Sequence, residues 1–386
     1  MDNSLSGADS TGLQRDTELL GAMLCFEAAL ARAQAAAGVI PPSAAQSIIG
    51  TCKIALFDVP KIVREGAQHG GLAQSMVQNL KETVSIFNQE ASAFVHLGCS
   101  SQEAIQTAMS ILARQTLREM DQDIAQIVDV LLQLARLHAD TPVLERVNFQ
   151  SVAVSSFGWK CTQWVASLVR CQNGLRVHSR TALRVRWGHG LASGTETQGQ
   201  ASAILAQLSE ALDLDAADTL HLSALQDWLA LGCEVALLAG VLGKTGSDLA
   251  CMGQHEVGEI AAPAAGFLNA RTNAQRAPQQ VAALLALASQ SQEGAQWQVE
   301  LAAWSELLRS TSAATGALSQ SMAVLQVDAL RMRHNVESLL QTLPQQTPDS
   351  LFDLKRTARA AAGSRKYLEA ATPHREKMPV APVQPA

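Results

Sequence analysis

Apolar residues recur every three to four positions along most of this chain, the period of a helix with one buried face. Leu19, Leu20, Met23, Phe26, Leu30 and Ala33 predict a helix from about Thr17 to Ala37, preceded by a loose stretch over residues 1–14. Gly38 is placed to end it, and Pro41-Pro42 forbids its continuation. Ser43 suits the start of a short helix reaching about Phe57. Further helices are predicted over 60–70, closed by Gly70-Gly71, and from Ala73 to Asn88. The polar run Gly98-Cys99-Ser100-Ser101-Gln102-Glu103 then breaks the pattern. It introduces a long helix from about Gln102 to Asp140, with Ile105, Met109, Leu112, Leu117, Met120, Ile124, Ile127, Leu131 and Leu134 at helical spacing.

Thr141-Pro142 ends that helix, and Val143 to Val154 reads as extended or irregular. Helices follow over Phe157–Val177, about 200–212 and 224–259, with a glycine-rich loop over Arg186–Gly199. Leu225 to Ile260 begins with the near-unbroken apolar run LQDWLALGCEVALLAGVLGK, the central beam of the prediction. Residues 261–278, AAPAAGFLNARTNAQRAP, read as a small-residue loop. Helices over about 278–310 and 312–340 come next, then at most one or two short ones. Residues 372–386 read as disordered. No strand-rich segment and no internal repeat is apparent. The expected fold is all-α, an elongated bundle of long helices. Its apolar surface exceeds what a monomer buries, which predicts helix-mediated oligomers.

Composition agrees. Hydrophobic residues make up 47% of 386 and aromatics 4%, with Ala and Leu dominant. The net charge of −6 and the lack of a basic stripe with aromatics argue against nucleic-acid binding. Seven scattered cysteines, none in a C-x-x-C pair, read as reduced thiols of a cytoplasmic protein. The polar N-terminus has no apolar signal core, and the run Trp228–Leu242 is short for a bilayer and carries Glu234, so no membrane partner is expected.

Several blocks together resemble one family. They are MLCFEAALARAQAAAGVIP, VHLGCSSQEAIQTA, TPVLERVNFQSVAVSSFGWK, LAGVLGKTGSDLACMGQHEVGEI and Trp297-x-x-Glu300. In this order, over about 17–335, they resemble the fumarase/aspartase superfamily, and within it the 3-carboxy-cis,cis-muconate cycloisomerase branch. The resemblance implies an all-α fold of three domains, here 1–98, 99–342 and a truncated 343–386. It also implies a homotetramer round a central bundle, with active sites shared between subunits. The implied chemistry is addition or elimination across a C=C bond beside a carboxylate. In this branch a substrate carboxylate closes a lactone in aromatic-acid catabolism, with no cofactor and no metal.

Such chemistry needs donors for the substrate carboxylates, a group that moves a proton at the α-carbon, and stabilisation of the charge that develops there. The resemblance maps Ser100, Ser101 and Gln102 onto the carboxylate-binding helix start. Their local pattern, Ser100-x-x-Glu103, equally reads as a capping box that needs no ligand. Gln150 matches the family glutamine. Ser151 stands where this branch often has His, Asn148 where others have it, and Val147 replaces a Thr. None of these three is a neutral-pH acid or base like imidazole. Lys244, Asp248, Gln254, Glu256, Gly258 and Glu259 fit the family's central helix. The family then carries a mobile loop, G-S-S-x-M-P-x-K-x-N, whose serine is the proposed base. Residues 261–278 hold no serine pair, no M-P and no K-x-N, leaving Asn269, Arg271 and Asn273 as polar groups. The catalytic residue is therefore unassigned, and two readings stand: a cycloisomerase-like lyase, or an inactive paralogue serving as a structural or binding subunit. In the second, a complete paralogue in a hetero-oligomer could supply what is missing. His189 between glycines, and His221, His255 and His334, have no zinc-ligand spacing.

Overall fold

The computed structural model describes residues 5–68, 71–147, 150–187, 200–216, 225–288, 296–343 and 351–376. The all-α expectation is met, with one two-stranded hairpin and two pairs of two-residue strands among the described residues. The chain forms two compact units, each built from three separate segments. The first comprises 1–118, 175–233 and 280–308, and the second 119–174, 234–279 and 309–386.

In the first unit, α1 (Leu5–Ala36) packs against α2 (Pro42–Thr51), α3 (Val59–Gln68) and α7 (Ala201–Leu212). Leu19, Leu20, Met23, Phe26, Leu30 and Ala33 are all buried, so the predicted stripe is the real core face. Gly38 adopts φ +73°, and the Val39 N–H donates to the Gln34 carbonyl at 2.8 Å. A left-handed glycine thus closes α1, and Pro42 opens α2, where its missing N–H is no loss. Next come α4 (Leu72–Phe87) and the first half of α5 (Ser101–Leu137). Later segments supply the end of α6 (Phe157–Ala182), the parallel pair β3 (Arg184–Val185) and β4 (Asp215–Ala216), and the start of α8 (Leu225–Met252).

The second unit opens with the rest of α5 and an antiparallel hairpin, β1 (Pro142–Val147) and β2 (Gln150–Ser156). Leu144 and Val154 meet Val336 of α12 (Ala329–Thr342) in a buried cluster joined by Leu339, Leu340 and Phe352. The end of α8 leads through a turn to β5 (Ile260–Ala261), which pairs antiparallel with β6 (Gln326–Val327). Then come α9 (Ala264–Ala274), the start of α10 (Ala277–Leu287), the end of α11 (Gln296–Ala323) and α13 (Lys355–Glu376).

Several expectations are corrected. Helix α1 begins at Leu5, within the stretch expected to be loose. The segment 143–154, expected to be extended or irregular, is an antiparallel hairpin whose register shifts between Glu145 and Arg146, and Pro142, which has no N–H to donate, stands at its first position. Helix α8 ends at Met252, because the Glu259 N–H returns to the Met252 carbonyl and Gly258 turns left-handed at φ +59°. Helix α11 runs unbroken through 310–312, where two helices were expected to meet. Helix α13 is 22 residues long and reaches Glu376, inside the tail read as disordered. The 261–278 loop is mostly helix, since its alanines favour that state and Pro263 stands at the N-cap of α9. Two helices, Leu13–Ala36 and Gln226–Met252, are long and apolar enough to cross a bilayer, contrary to the short run predicted. Half or more of each apolar stretch is buried inside the fold, the pattern of core helices.

Candidate functional site

In the first unit the expected carboxylate-binding residues begin α5. Ser100 is its N-cap. Its N–H and hydroxyl both donate to Glu103 Oε2, at 2.8 and 2.9 Å, while the Glu103 N–H donates to Ser100 Oγ at 3.2 Å. This reciprocal capping box pins one carboxylate oxygen inside the first turn. Glu103 is buried, Ser101 half-buried and Gln102 exposed. Of the three, Ser101 and Gln102 present their side chains beside a first turn whose N–H groups and dipole favour an anion.

The preceding turn is held from α1 by two residues that the sequence reading passed over. Glu27, 1% exposed, lies 2.5 Å from Nδ1 of His96. Gln34, two helical turns further along α1, donates Nε2 to the Leu97 carbonyl at 2.7 Å. His96 adopts φ +61° and Gly98 φ +65°, and the Cys99 N–H closes the turn onto the His96 carbonyl. The signals were present in FEAALARAQ and VHLG, but nothing in either block says that they meet. Burial, and then the Glu27 and Glu103 carboxylates, push the buried Cys99 thiol up, which places both carboxylates around that sulfur. Glu300, from the W-x-x-E block, is half-buried, and burial raises its carboxyl above the usual range.

In the second unit Gln150 and Ser151 open β2, opposite Val147 and Arg146 across the hairpin. Gln150 is exposed and Ser151 half-buried. Asn148 lies outside the described residues, as do His189 and His221. Beside them Arg146 makes a two-pronged ion pair with Glu259: NH1 to Oε2 at 2.8 Å and NH2 to Oε1 at 2.6 Å. Glu259 is fully buried and also accepts from Asn335 Nδ2 at 3.0 Å. Asn335 donates as well to the Val257 carbonyl, and Arg331 reaches the carbonyls of Val257 and Glu256. One carboxylate therefore ties the hairpin tip, the turn after α8 and α12 together. A second chain runs from Glu145 to Lys160 at 2.8 Å, with Lys160 over the Trp164 ring. Trp164 Nε1 then donates to Asp248, which also meets Lys244 at 2.5 Å.

Residues 261–278, from which the family's serine pair, M-P and K-x-N are missing, form α9 and the start of α10. In α9, Phe267, Ala270 and Ala274 are buried, while Asn269 and Arg271 are exposed. The helix is fitted closely to its neighbours. A methyl group on Gly246 would stand 2.9 Å from the Phe267 carbonyl, one on Gly243 2.9 Å from the Ala274 methyl, and one on Gly266 3.0 Å from the Ala317 carbonyl. Among the described residues, no three His, Cys, Asp or Glu side chains are grouped to hold a metal ion.

Comparison with known proteins agrees with these blocks. A sequence profile described as lyase matches residues 3–266, ending in the first turn of α9. The chain is 31% identical over 353 residues to the 3-carboxy-cis,cis-muconate cycloisomerase of Bradyrhizobium diazoefficiens, covering 86% of this chain and 78% of that one. It is 30% identical over 343 residues to the enzyme of the same name from Pseudomonas putida, covering 83% and 81%. The crystal structure of the Pseudomonas putida 3-carboxy-cis,cis-muconate lactonizing enzyme superposes with a TM-score of 0.76 at 26% identity, over 92% of this chain and 83% of that one. A fumarate lyase from Mesorhizobium sp. BNC1, 24% identical, shares the fold with a TM-score of 0.72 over 92% and 84%. The chain belongs to the lyase family of the fumarase/aspartase superfamily, alongside the 3-carboxy-cis,cis-muconate cycloisomerases.

Proposed function

We propose that this protein is a cycloisomerase-like intramolecular lyase scaffold that binds a muconate-type di- or tricarboxylate and lacks a proton-transfer loop of its own. Ser101 and Gln102 would hold a substrate carboxylate at the start of α5, where Ser100 orders the first turn; in the second unit, Gln150 and Ser151 are the carboxylate-binding pair that the resemblance implies. In the lactone-forming reaction, a substrate carboxylate oxygen bonds to one alkene carbon. The π pair moves to the carbon beside the other carboxylate, which takes a proton. Donors at the carboxylates support the first part. The second needs an acid, and the observation that carries this reading is α9: where the family has a mobile serine loop, this chain has an alanine-rich helix in close glycine contact with α8 and α11.

The same observation favours a second reading, an inactive paralogue kept as a binding or structural subunit. A fold maintained by apolar spacing survives the loss of a few placed groups. Assembly as a homotetramer, or with a complete paralogue, is supported by α8. Its outward stripe of Leu237 (58% exposed), Gly240 and Val241 is apolar and suits a second helix. We assign residues 1–98, 99–342 and 343–386 as its three domains and the cytoplasm as its compartment.

The test is to purify the chain and follow lactone formation from 3-carboxy-cis,cis-muconate, with calorimetric binding of the same compound alongside. Binding without appreciable turnover is expected. Turnover matching an ordinary cycloisomerase would overturn the missing-acid reading. Absence of binding by a folded oligomer would leave the subunit reading, and co-purification with a complete paralogue would identify its partner.

A further inference from the structure

We propose that Glu27 and His96 are positioning residues for the carboxylate-binding start of α5, acting through the turn between His96 and Ser100. The inference rests on the reading above that this helix start takes a substrate carboxylate.

Geometry carries it. Glu27 and Gln34 are seven residues apart, two turns along one face of α1, and both are essentially fully buried. They grip consecutive residues: Glu27 the His96 ring, Gln34 the Leu97 carbonyl. The register of α1 thereby fixes where the turn sits, and the turn fixes where α5 begins. His96 pays for this with a left-handed backbone, a conformation that non-glycine residues keep only when their surroundings enforce it. Asn would tolerate that conformation well, and Gly would adopt it without cost. The side chain of His96 is thus retained for something other than backbone geometry.

Charge gives the second part of the argument. Two buried carboxylates, Glu27 and Glu103, stand near the helix start, and an incoming carboxylate would be repelled by both. The Ser100 N–H and hydroxyl hydrogen-bond one of them within the first turn. The other is met by His96 alone among the described hydrogen bonds, with Nδ1–H as the donor, since a bare imidazole nitrogen and a carboxylate would both be acceptors. His96 therefore holds the turn and occupies the Glu27 carboxylate through the same bond.

The test separates position from stability. His96→Gly removes the ring and relieves the left-handed backbone but leaves the buried Glu27 carboxylate without that partner, so its melting temperature should fall, and binding is measured well below it. Its affinity for 3-carboxy-cis,cis-muconate, measured by calorimetry, should fall about tenfold or more, the equivalent of one good polar contact. His96→Asn, whose Nδ2 can take the place of Nδ1, should stay within about threefold of wild type, and Glu27→Gln likewise. Equal affinity in His96→Gly and wild type would overturn the proposal. So would nitrogen NMR of the wild-type protein showing an unprotonated Nδ1. Should the wild-type protein bind no muconate, the functional reading fails and the pair is judged on amide exchange. Exchange over residues 97–101 is then expected to rise about tenfold in His96→Gly and not in His96→Asn. No rise would overturn the positioning role as well.

Discussion

Replacing Glu259 with alanine tests the interaction on which the second unit's polar cluster depends. The substitution removes both carboxylate oxygens that Arg146 grips and one of the two acceptors of Asn335. Asn335 keeps the Val257 carbonyl, but the Arg146 guanidinium is left with its charge and only about one-sixth of its side chain in water. Deleting one member of such a pair costs about 3–5 kcal/mol, most of it the burden of the stranded charge. Glu259→Gln keeps the shape and one acceptor but loses the charge assistance, and should cost about 1.5–3 kcal/mol. The double variant Arg146→Met/Glu259→Leu strands nothing and should be less destabilised than Glu259→Ala alone. The cycle of Arg146→Met, Glu259→Leu and their double variant should give a coupling of about 2–3 kcal/mol. Urea unfolding followed by circular dichroism, with the m-value checked for constancy, measures each. A cost below about 1 kcal/mol for Glu259→Ala, or strict additivity in the cycle, would refute the reasoning.

Three further outcomes are expected. Gly158→Ala would place a methyl group 2.7 Å from the Ala135 carbonyl and from the Ala139 Cα, so α5 and α6 must part. Thermal unfolding should register about 1–3 kcal/mol of lost stability or more. Burial holds the His138 imidazole below its ordinary pKa, so the unfolded chain binds its proton first as pH falls. That stability is complete above about pH 6.5 and is lost as pH drops through the folded value. His138→Gln should flatten stability against pH below that point, as urea midpoints would reveal. Burial pushes the Cys161 and Cys171 thiols up, so neither should react with an aromatic disulfide reagent until the protein unfolds. Stopped-flow labelling of single-cysteine variants reads this directly.

The long helices were legible because each states its own period. Leu19 to Ala33 on α1 and Ile105 to Leu134 on α5 repeat the burial pattern over many turns, and Gly38 and Pro42 punctuate it chemically. The start of α5 was legible in both of its meanings, since Ser100-x-x-Glu103 is a local device. What escaped the sequence was non-local. Glu27 meets His96 across 69 positions, and Arg146 meets Glu259 across 113. No local pattern states such a meeting. The segment after α8 was misread for a different reason. Alanine and glycine fit both a loop and a tightly packed helix, and only the contacts of Phe267, Ala270 and Ala274 decide between them.

The alternation of segments between the two compact units has a consequence for how the chain can be made and cut. Its five boundaries, at 118/119, 174/175, 233/234, 279/280 and 308/309, all fall inside helices: α5, α6, α8, α10 and α11. None falls in a linker that a protease or a cloning primer could exploit. During synthesis the first unit lacks its last segment until residue 308 has emerged, so neither unit can finish before most of the chain exists. Contacts of such long sequence separation favour slow, late folding. An insertion or truncation at any of these five points would break one helix and damage both units at once, so the smallest stable fragment should be nearly the whole chain.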